Sequence, residues 1–339
     1  MNTMDCSALL GATHVAFSAG MPERLSRIGA TNVARRLDCL LVGPSHRDVE
    51  KHVRARQSWW NSSEQWDPFL SDLRWEPPVI LWVSTSLRER VDLWKTCSWL
   101  RRIGIAFQDV LILEFDAVPP SGIPDEPLPP FDCYSSVAHH PDEVLLERLG
   151  KARPWPYERY DRAVCLWDQF VDENLSTFVE SCVRGVEGFP ELAPLWALLS
   201  CFFPRRTTEG ALRLSRFDEL LLTILSVEWQ TPMSVCSQKL QRVATLWEFL
   251  DCTGDLFLPC RLEHWAKHAS GAVVERAPGP NPEEPMKSFV YRLTERGMRL
   301  RDKGLDQLTD APSLPIAGTE AYSASAPWVL LEDGRLARL

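Results

Sequence analysis

Two turns in this chain carry the residue types that hold small anions. Ser18-Ala19-Gly20 follows the apolar run His14-Val15-Ala16-Phe17, and Gly43-Pro44-Ser45 follows the run from Leu37 to Val42. Each run reads as a buried strand, and a helical pattern begins soon after each turn. If the strands are parallel, both turns emerge at the carboxyl edge of one sheet, where α/β folds take their ligands. Unpaired N–H groups at the two helix starts would attract negative charge. Arg54 and Arg56 could add charge-assisted hydrogen bonds to a phosphate or carboxylate. The candidate ligand-binding set is therefore His14, Ser18, Gly20, Gly43, Ser45, Arg54 and Arg56. The plainer reading has Gly and Pro making tight turns and the arginines in solvent. The chain has no complete Gly-x-Gly-x-x-Gly or Walker pattern to strengthen the first.

Other constellations carry less. Cys260, His264 and His268 recur at i, i+4 and i+8 on one side of a predicted helix, with Cys252 near in sequence. Zinc accepts Cys and His, but structural zinc sites use tighter pairs, so no metal is assigned. The chain lacks Gly-x-Ser-x-Gly, and His139-His140-Pro141 has no evident partner. Catalytic residues and any cofactor stay unassigned. Trp59-Trp60 reads as core mass, or as a partner anchor if exposed.

The elements that must position these groups follow from periodicity. His14–Phe17, Leu37–Val42, Val79–Val83 and Val110–Leu113 are predicted strands, with helical patterns over 22–28, 46–60 and from Leu87 to Arg102 between them. Gly29 is placed as a left-handed helix stop, and Ser86-Leu87-Arg88-Glu89 reads as a capping box. Strand–helix alternation with nearly all-apolar strands implies a mainly parallel sheet covered on both faces. Six prolines between 119 and 130 imply a rigid strap. Helical patterns return over 142–150, 156–184 and 190–203. A helix opening behind Ser215 as N-cap, a second over 233–249 and a third from Asp255 to His268 come next. Ala272–Arg276 and Phe289–Leu293 read as strands, and a last short helix opens at Thr294. Three helices followed by a two-stranded ribbon is the order of a winged helix.

Composition excludes several classes. With 45% hydrophobic and 24% charged residues in 339, the chain is that of an ordinary globular protein. No run of eighteen apolar residues predicts a membrane span. The N-terminal residues lack the basic start of a signal peptide. Ten cysteines scattered without Cys-x-x-Cys fit reduced thiols, so a cytoplasmic protein is expected. Lys/Arg and Asp/Glu balance at 14 each over residues 1–118, so the whole net charge of −9 lies in 119–339. An acidic C-terminal half argues against a broad nucleic-acid or anionic-membrane footprint. The third helix of the winged-helix pattern is nearly neutral, which also disfavours a transcription regulator.

With the strands placed, a resemblance emerges. His14-Val15-Ala16-Phe17, Asp38-x-Leu40-x-x-Gly43-Pro44, Arg54-x-Arg56 with Trp59-Trp60, and Leu81-Trp82 resemble domain-of-unknown-function family 1835. Tyr291-Arg292-Leu293-Thr294-Glu295-Arg296-Gly297, Ile316-Ala317-Gly318 and the late Trp328 are similar to the tail of the same proteins. Together the short motifs span most of the chain. The resemblance implies architecture more than chemistry, because that family carries no settled activity. One departure matters. The family tends toward Gly-Asp-Ser after its first strand where this chain has Ser18-Ala19-Gly20, so no acid or metal role carries over to that turn.

The reading is a Rossmann-like, mainly parallel α/β domain over 1–118, a Pro-rich strap over 119–141 and a helical connector over 142–212. A winged-helix-like α+β domain over 213–310 and a tail over 311–339 complete it. The leading function is a non-catalytic cytoplasmic binding or adaptor protein that senses a small anionic ligand or a protein partner. The alternative is an enzyme acting on a phosphorylated or nucleotide-like metabolite at the carboxyl edge of the sheet.

Overall fold

The computed structural model describes residues 6–18, 20–35, 40–60, 75, 77–116, 136–240, 249, 253–254, 256–269, 271–325 and 327–339. The chain divides into two compact units. The first comprises residues 1–40, 45–172 and 185–192, and the second 41–44, 173–184 and 193–339. Among the described residues no helix is long and apolar enough to cross a membrane.

The first unit is mixed α/β around a four-stranded parallel sheet. Its strands are β1 (Thr13–Ala16), β2 (Asn32–Arg35), β3 (Val79–Val83) and β4 (Val110–Glu114), in the order β2-β1-β3-β4. Parallel pairing aligns His14 with Ile80, Ala16 with Trp82, and Val83 with Glu114. Helices α1 (Cys6–Leu10), α2 (Met21–Arg27), α3 (Val49–Trp60), α4 (Leu87–Arg102), α5 (Asp142–Gly150) and α6 (Tyr157–Phe170) belong to this unit. Met21 and Leu25 of α2 share one core with Ala16, Ile80, Trp82, Leu111, Leu113 and the α5 leucines 145 and 149. The alternate positions Val15, Val79, Leu81, Val83, Val110 and Ile112 are buried too. Both sheet faces are therefore covered, as the apolar strands require. Because β2 lies on one side of β1 and β4 on the far side of β3, right-handed crossovers put α2 and α4 on opposite faces.

The expected strand over Leu37–Val42 is corrected. Residues 36–39 lie outside the described residues, and Leu40, Leu41 and Val42, although fully buried, form a turn. An apolar run signals burial, whereas a strand also needs a ladder partner. The free edge of β1 is taken earlier by Asn32–Arg35, whose Asn32 amide donates to Thr13 Oγ1 at 3.0 Å. Gly29, at φ +101°, ends α2 as expected, with the Ala30 N–H returning to Leu25 O. That abrupt stop leaves only two residues before the strand.

In the second unit α7 (Ser176–Arg184), α8 (Leu192–Ser200, its first residue still in the first unit), α9 (Arg216–Ile224), α10 (Pro232–Leu240) and α11 (Phe257–Ala266) precede an antiparallel ribbon. The ribbon pairs β7 (Val274–Pro278) with β8 (Phe289–Leu293), and α12 (Glu295–Lys303) follows. The single helix expected over 156–184 is two, broken after Phe170 where Asp172 to Leu175 leave helical geometry. The second helix of the winged-helix pattern is described only to Leu240; the Pro-rich strap over 119–130 lies outside the described residues. The C-terminal residues carry strands of their own. They form β9 (Leu314–Ile316), β10 (Thr319–Ala321), β11 (Trp328–Leu331) and β12 (Leu336–Arg338). β11 pairs in parallel with β5 (Arg205–Arg206), which in turn pairs with β6 (Leu212–Arg213).

A buried ion pair ties this unit together. Arg261 on α11 donates to both carboxylate oxygens of Asp218 on α9, each at 2.8 Å, and neither side chain meets solvent. Trp265 Nε1–H and Ser215 Oγ–H complete the carboxylate, and Arg261 also donates to Pro312 O at 2.9 Å. Leu258, Leu262 and Trp265 of α11 are fully buried. Removing one partner of such a pair strands a buried charge, at about 3–5 kcal/mol. Arg261→Met is expected to destabilise the second unit by that amount in urea unfolding, and Arg261→Met with Asp218→Leu to recover most of the loss. Equal destabilisation by the single and double variants would show that packing, not the stranded charge, sets the cost.

Candidate functional site

The strand order reverses direction between β1 and β3. In an open parallel sheet the loops leaving two such strands diverge to opposite faces and leave a crevice at the carboxyl edge. Here that edge lies between Ser18 and Gly20, which precede α2, and Ser84-Thr85-Ser86, which precede α4. The ladder ends with Ala16 opposite Trp82, and Ser18 and Ser84 each follow two residues later. Neighbouring strands are about 4.8 Å apart, which brings the two loops within reach of one small molecule.

The polar groups at this edge are held from below. Ser84 N–H donates to Glu89 Oε2 at 2.7 Å, and Ser86 N–H donates to Ser84 Oγ at 3.1 Å. The expected capping box is thereby corrected. Ser86 flanks α4 without a side-chain cap bond, and Glu89 reaches past it to the Ser84 amide. Three buried oxygens at the same edge have no hydrogen-bond partner: Ser18 Oγ, Thr85 Oγ1 and Glu89 Oε1. Ser18 is 5% exposed and Glu89 1%, whereas Thr85 is half-buried and Gly20 exposed, so the mouth lies beside those two. Burial raises the Glu89 carboxyl to about 7, against the opposing pull of the Ser84 N–H, the Ser84 hydroxyl and Arg88; Asp92 pushes it the same way as burial.

The next carboxylate along the edge is fully used. Glu114, at the end of β4, accepts from Arg90 at 2.6 Å, from both terminal nitrogens of Arg159 at 2.7 and 2.9 Å, and from Trp155 Nε1 at 3.1 Å. Burial alone would raise this carboxyl, but the hydrogen bonds and charge of Arg159 and Arg90 hold it below the ordinary range.

The structure distributes the sequence candidates unevenly. Ser18 and Gly20 sit at the crevice. His14 does not face it: its Nδ1 accepts the Trp82 indole N–H at 3.0 Å, and its Nε2–H donates to Leu9 O at 3.0 Å. Burial lowers this imidazole to about 4, so it is a neutral core group. Gly43 and Ser45 follow a turn rather than a strand. Gly43, at φ +88°, donates its N–H to Pro315 O inside the second unit, and Ser45 is buried with its hydroxyl unpaired. Arg54 lies in solvent at 72% exposure beside Glu50 on its own helix. Arg56 is buried with its guanidinium over the Trp60 ring.

Of the remaining constellations, Cys260 Sγ lies 4.0 Å from His264 Nε2, and His268 Nε2 lies 3.1 Å from Thr309 O. Among the described residues no cluster of three metal-ligating side chains occurs. His140 Nε2 lies 3.1 Å from Asp116 O. A surface cleft bounded by Pro77, Pro78, Asp109 and Arg153 opens at the amino edge of the sheet, away from the crevice. The groups that the sequence reading missed are Ser84, Thr85 and the free oxygen of Glu89. Their signal was present, since Ser84-Thr85-Ser86 follows an apolar strand just as Ser18-Ala19-Gly20 does.

The perturbed Glu89 has a stability consequence. A folded-state value of about 7 against an ordinary 4.5 means that the fold favours the protonated carboxyl. That contribution is complete below about pH 4.5 and lost as pH rises through about 7, in total on the order of 3 kcal/mol. Glu89→Gln mimics the neutral form at every pH. It is expected to match the wild type near pH 4.5 and to exceed it at pH 8 in urea unfolding. A stability difference that is the same at both values would refute the assignment.

No protein-family model matches this chain, and no curated protein matches it.

Proposed function

We propose that this chain is a non-catalytic binding or adaptor protein whose Rossmann-like first unit takes a small ligand at the carboxyl edge between β1 and β3. The observation that carries the reading is the group of buried, unpartnered oxygens of Ser18, Thr85 and Glu89 at the switch point of the sheet. A buried polar atom without a partner costs about 1–3 kcal/mol, a cost that a bound ligand's hydrogen bonds would offset.

The second unit is read as winged-helix-like, used for packing or protein contact. Its helix order and ribbon support this, and so does the fate of α11's charges. Arg261 is consumed inside the unit, while Glu263 pairs with Lys267 and Arg276, which leaves little for phosphate contacts. Cysteines 97, 165, 182 and 201 are free thiols, in keeping with a cytoplasmic setting. Membership of domain-of-unknown-function family 1835 is part of the same proposal and rests on the short motifs quoted above. The alternative, an enzyme acting on a phosphorylated or nucleotide-like metabolite, draws on one observation: Glu89, near 7, has the value a general base needs at neutral pH.

A thermal-shift screen of nucleotides, phosphates and divalent metals tests the reading. A ligand at a hundred times its Kd adds about 2.7 kcal/mol, hence roughly 5 °C or more for a unit of this size. At least one compound is expected to raise Tm by this much, and Ser18→Val, which fills the crevice, to abolish the shift. Hits that persist undiminished in Ser18→Val would place the ligand elsewhere.

A further inference from the structure

We infer that the β1/β3 edge is an oxyanion site that takes up one proton with its ligand, the proton residing on Glu89. The inference rests on the ligand-site reading above and names the ligand class. Three observations converge on it. First, α4 is sixteen residues long and starts at this edge, so its positive end faces the crevice. Second, Ser18 Oγ and Thr85 Oγ1 are hydroxyls buried without a partner, and each can donate to an oxyanion. Third, Glu89 is fixed by one oxygen to the Ser84 amide, while the other is buried beside the same loop with nothing bonded to it.

That third group decides the chemistry. As a carboxylate, Glu89 would repel an anion held against the α4 start. As a carboxylic acid, its Oε1–H is a third buried donor at the same sheet edge as the two hydroxyls. Burial already brings the two forms close to balance at neutral pH. One proton passes from solvent to Glu89 Oε1 as the anion enters, that O–H donates to an anion oxygen, and release returns the proton.

The charged groups that act on Glu89 are Arg88 and Asp92 of its own helix. Asp92 is paired with Lys95 at 3.2 Å. Across the sheet edge, β1 contributes Ser18 and β3 contributes Ser84, and neither titrates near neutrality. Glu114 of β4 is neutralised by Arg90 and Arg159. Glu191, also buried and raised by burial, lies under the charges of Arg90, Glu114 and Arg159; on the loop after β3, Glu89 is the carboxyl placed to exchange a proton.

Sulfate is the probe, because its charge does not change between pH 6 and 8.5, as that of phosphate does. Isothermal titration of the full chain is expected to show sulfate affinity falling about tenfold per pH unit above 7, the slope of one coupled proton. Titrations at pH 8 in buffers of different ionisation enthalpy should return an uptake near one proton. Glu89→Gln should bind sulfate at pH 8.5 as tightly as the wild type does at pH 6, and Ser18→Ala should weaken binding at every pH. Affinity that is flat with pH or rises with it in the wild type overturns the proposal, as does a wild-type slope in Glu89→Gln. Should Glu89→Gln not fold, the Ser84 amide nitrogen shift in the wild type reports the same proton. Its midpoint near pH 7 should move upward with saturating sulfate, and an unmoved midpoint overturns the inference. If sulfate fails to bind while a thermal-shift hit moves the Ser18 and Ser84 amides, the oxyanion class falls and the ligand site stands. If no compound moves those amides, both fall.

Discussion

The first unit depends on one constraint, the burial of α4 along most of its length. Every residue from Glu89 to Leu100 is buried, and the stretch includes Glu89, Arg90, Asp92 and Lys95. A charge removed from water must be paired and hydrogen-bonded or give up its charge. Each of these side chains therefore dictates something about its surroundings. Arg90 draws Glu114 at the end of β4, and Glu114 draws Arg159 and Trp155 from beyond α5. Asp92 holds Lys95, whose ammonium also sits 5.0 Å from the centre of the Trp99 ring. The backbone is used as well, since Tyr160 on α6 donates its hydroxyl to Cys97 O at 2.9 Å. The packing of α6 on α4 thus follows from what α4 buries.

Apolar burial alone would have been the cheaper design for such a helix. Replacing a buried ion pair with well-packed hydrophobic groups is often neutral or stabilising. The retained charges therefore act less as sources of stability than as constraints on arrangement. Arg90 and Glu114 fix α4 against β4 in one register, because a shift of one residue would strand both. Glu89 has a different consequence. Its bond to Ser84 sets the conformation of the loop after β3, and its second oxygen is left without a partner at the point where the strand order reverses.

The sequence made the interior of the sheet legible and its edge illegible. Val79–Val83 is predicted to the residue because a central parallel strand is apolar on both faces and its signal is continuous. Asn32–Arg35 is an edge strand with Asn and Arg at its ends, which periodicity cannot tell from a loop, while the stronger apolar run at Leu40–Val42 serves burial in a turn. The break between α6 and α7 falls in Asp172 to Leu175, where the apolar spacing continues across a change of direction. At the site, Ser18 and Gly20 were readable from the strand-then-small-residue pattern. Ser84 and Thr85 carry the same pattern after β3, whereas Glu89 is hidden because Ser86-x-x-Glu89 has a sufficient local explanation as a helix cap. Arg54 and Arg56 misled for a related reason: spacing places a guanidinium on a helix but does not choose between solvent, an aromatic face and a ligand.

Asp218 and Glu89 show why burial by itself does not identify a functional carboxyl. Both are almost wholly removed from solvent. Asp218 receives two bonds from Arg261, one from Trp265 and one from Ser215, and burial's upward push is outweighed by Arg261's charge, so its carboxyl stays below the ordinary range. Such a group is ionised under all ordinary conditions and has no capacity left for a ligand. Glu89 is held only by Ser84, through its amide and its hydroxyl, and burial wins, bringing it to about 7. The difference lies in the number of donors each fold position supplies, not in the residue type or its depth. A carboxyl with every lone pair occupied is part of the frame, as Glu114 is with its arginines and indole. A carboxyl left half-satisfied at the mouth of a parallel sheet is held in an unstable balance that a ligand or a proton can tip, and the described N-terminal unit puts Glu89 in that position.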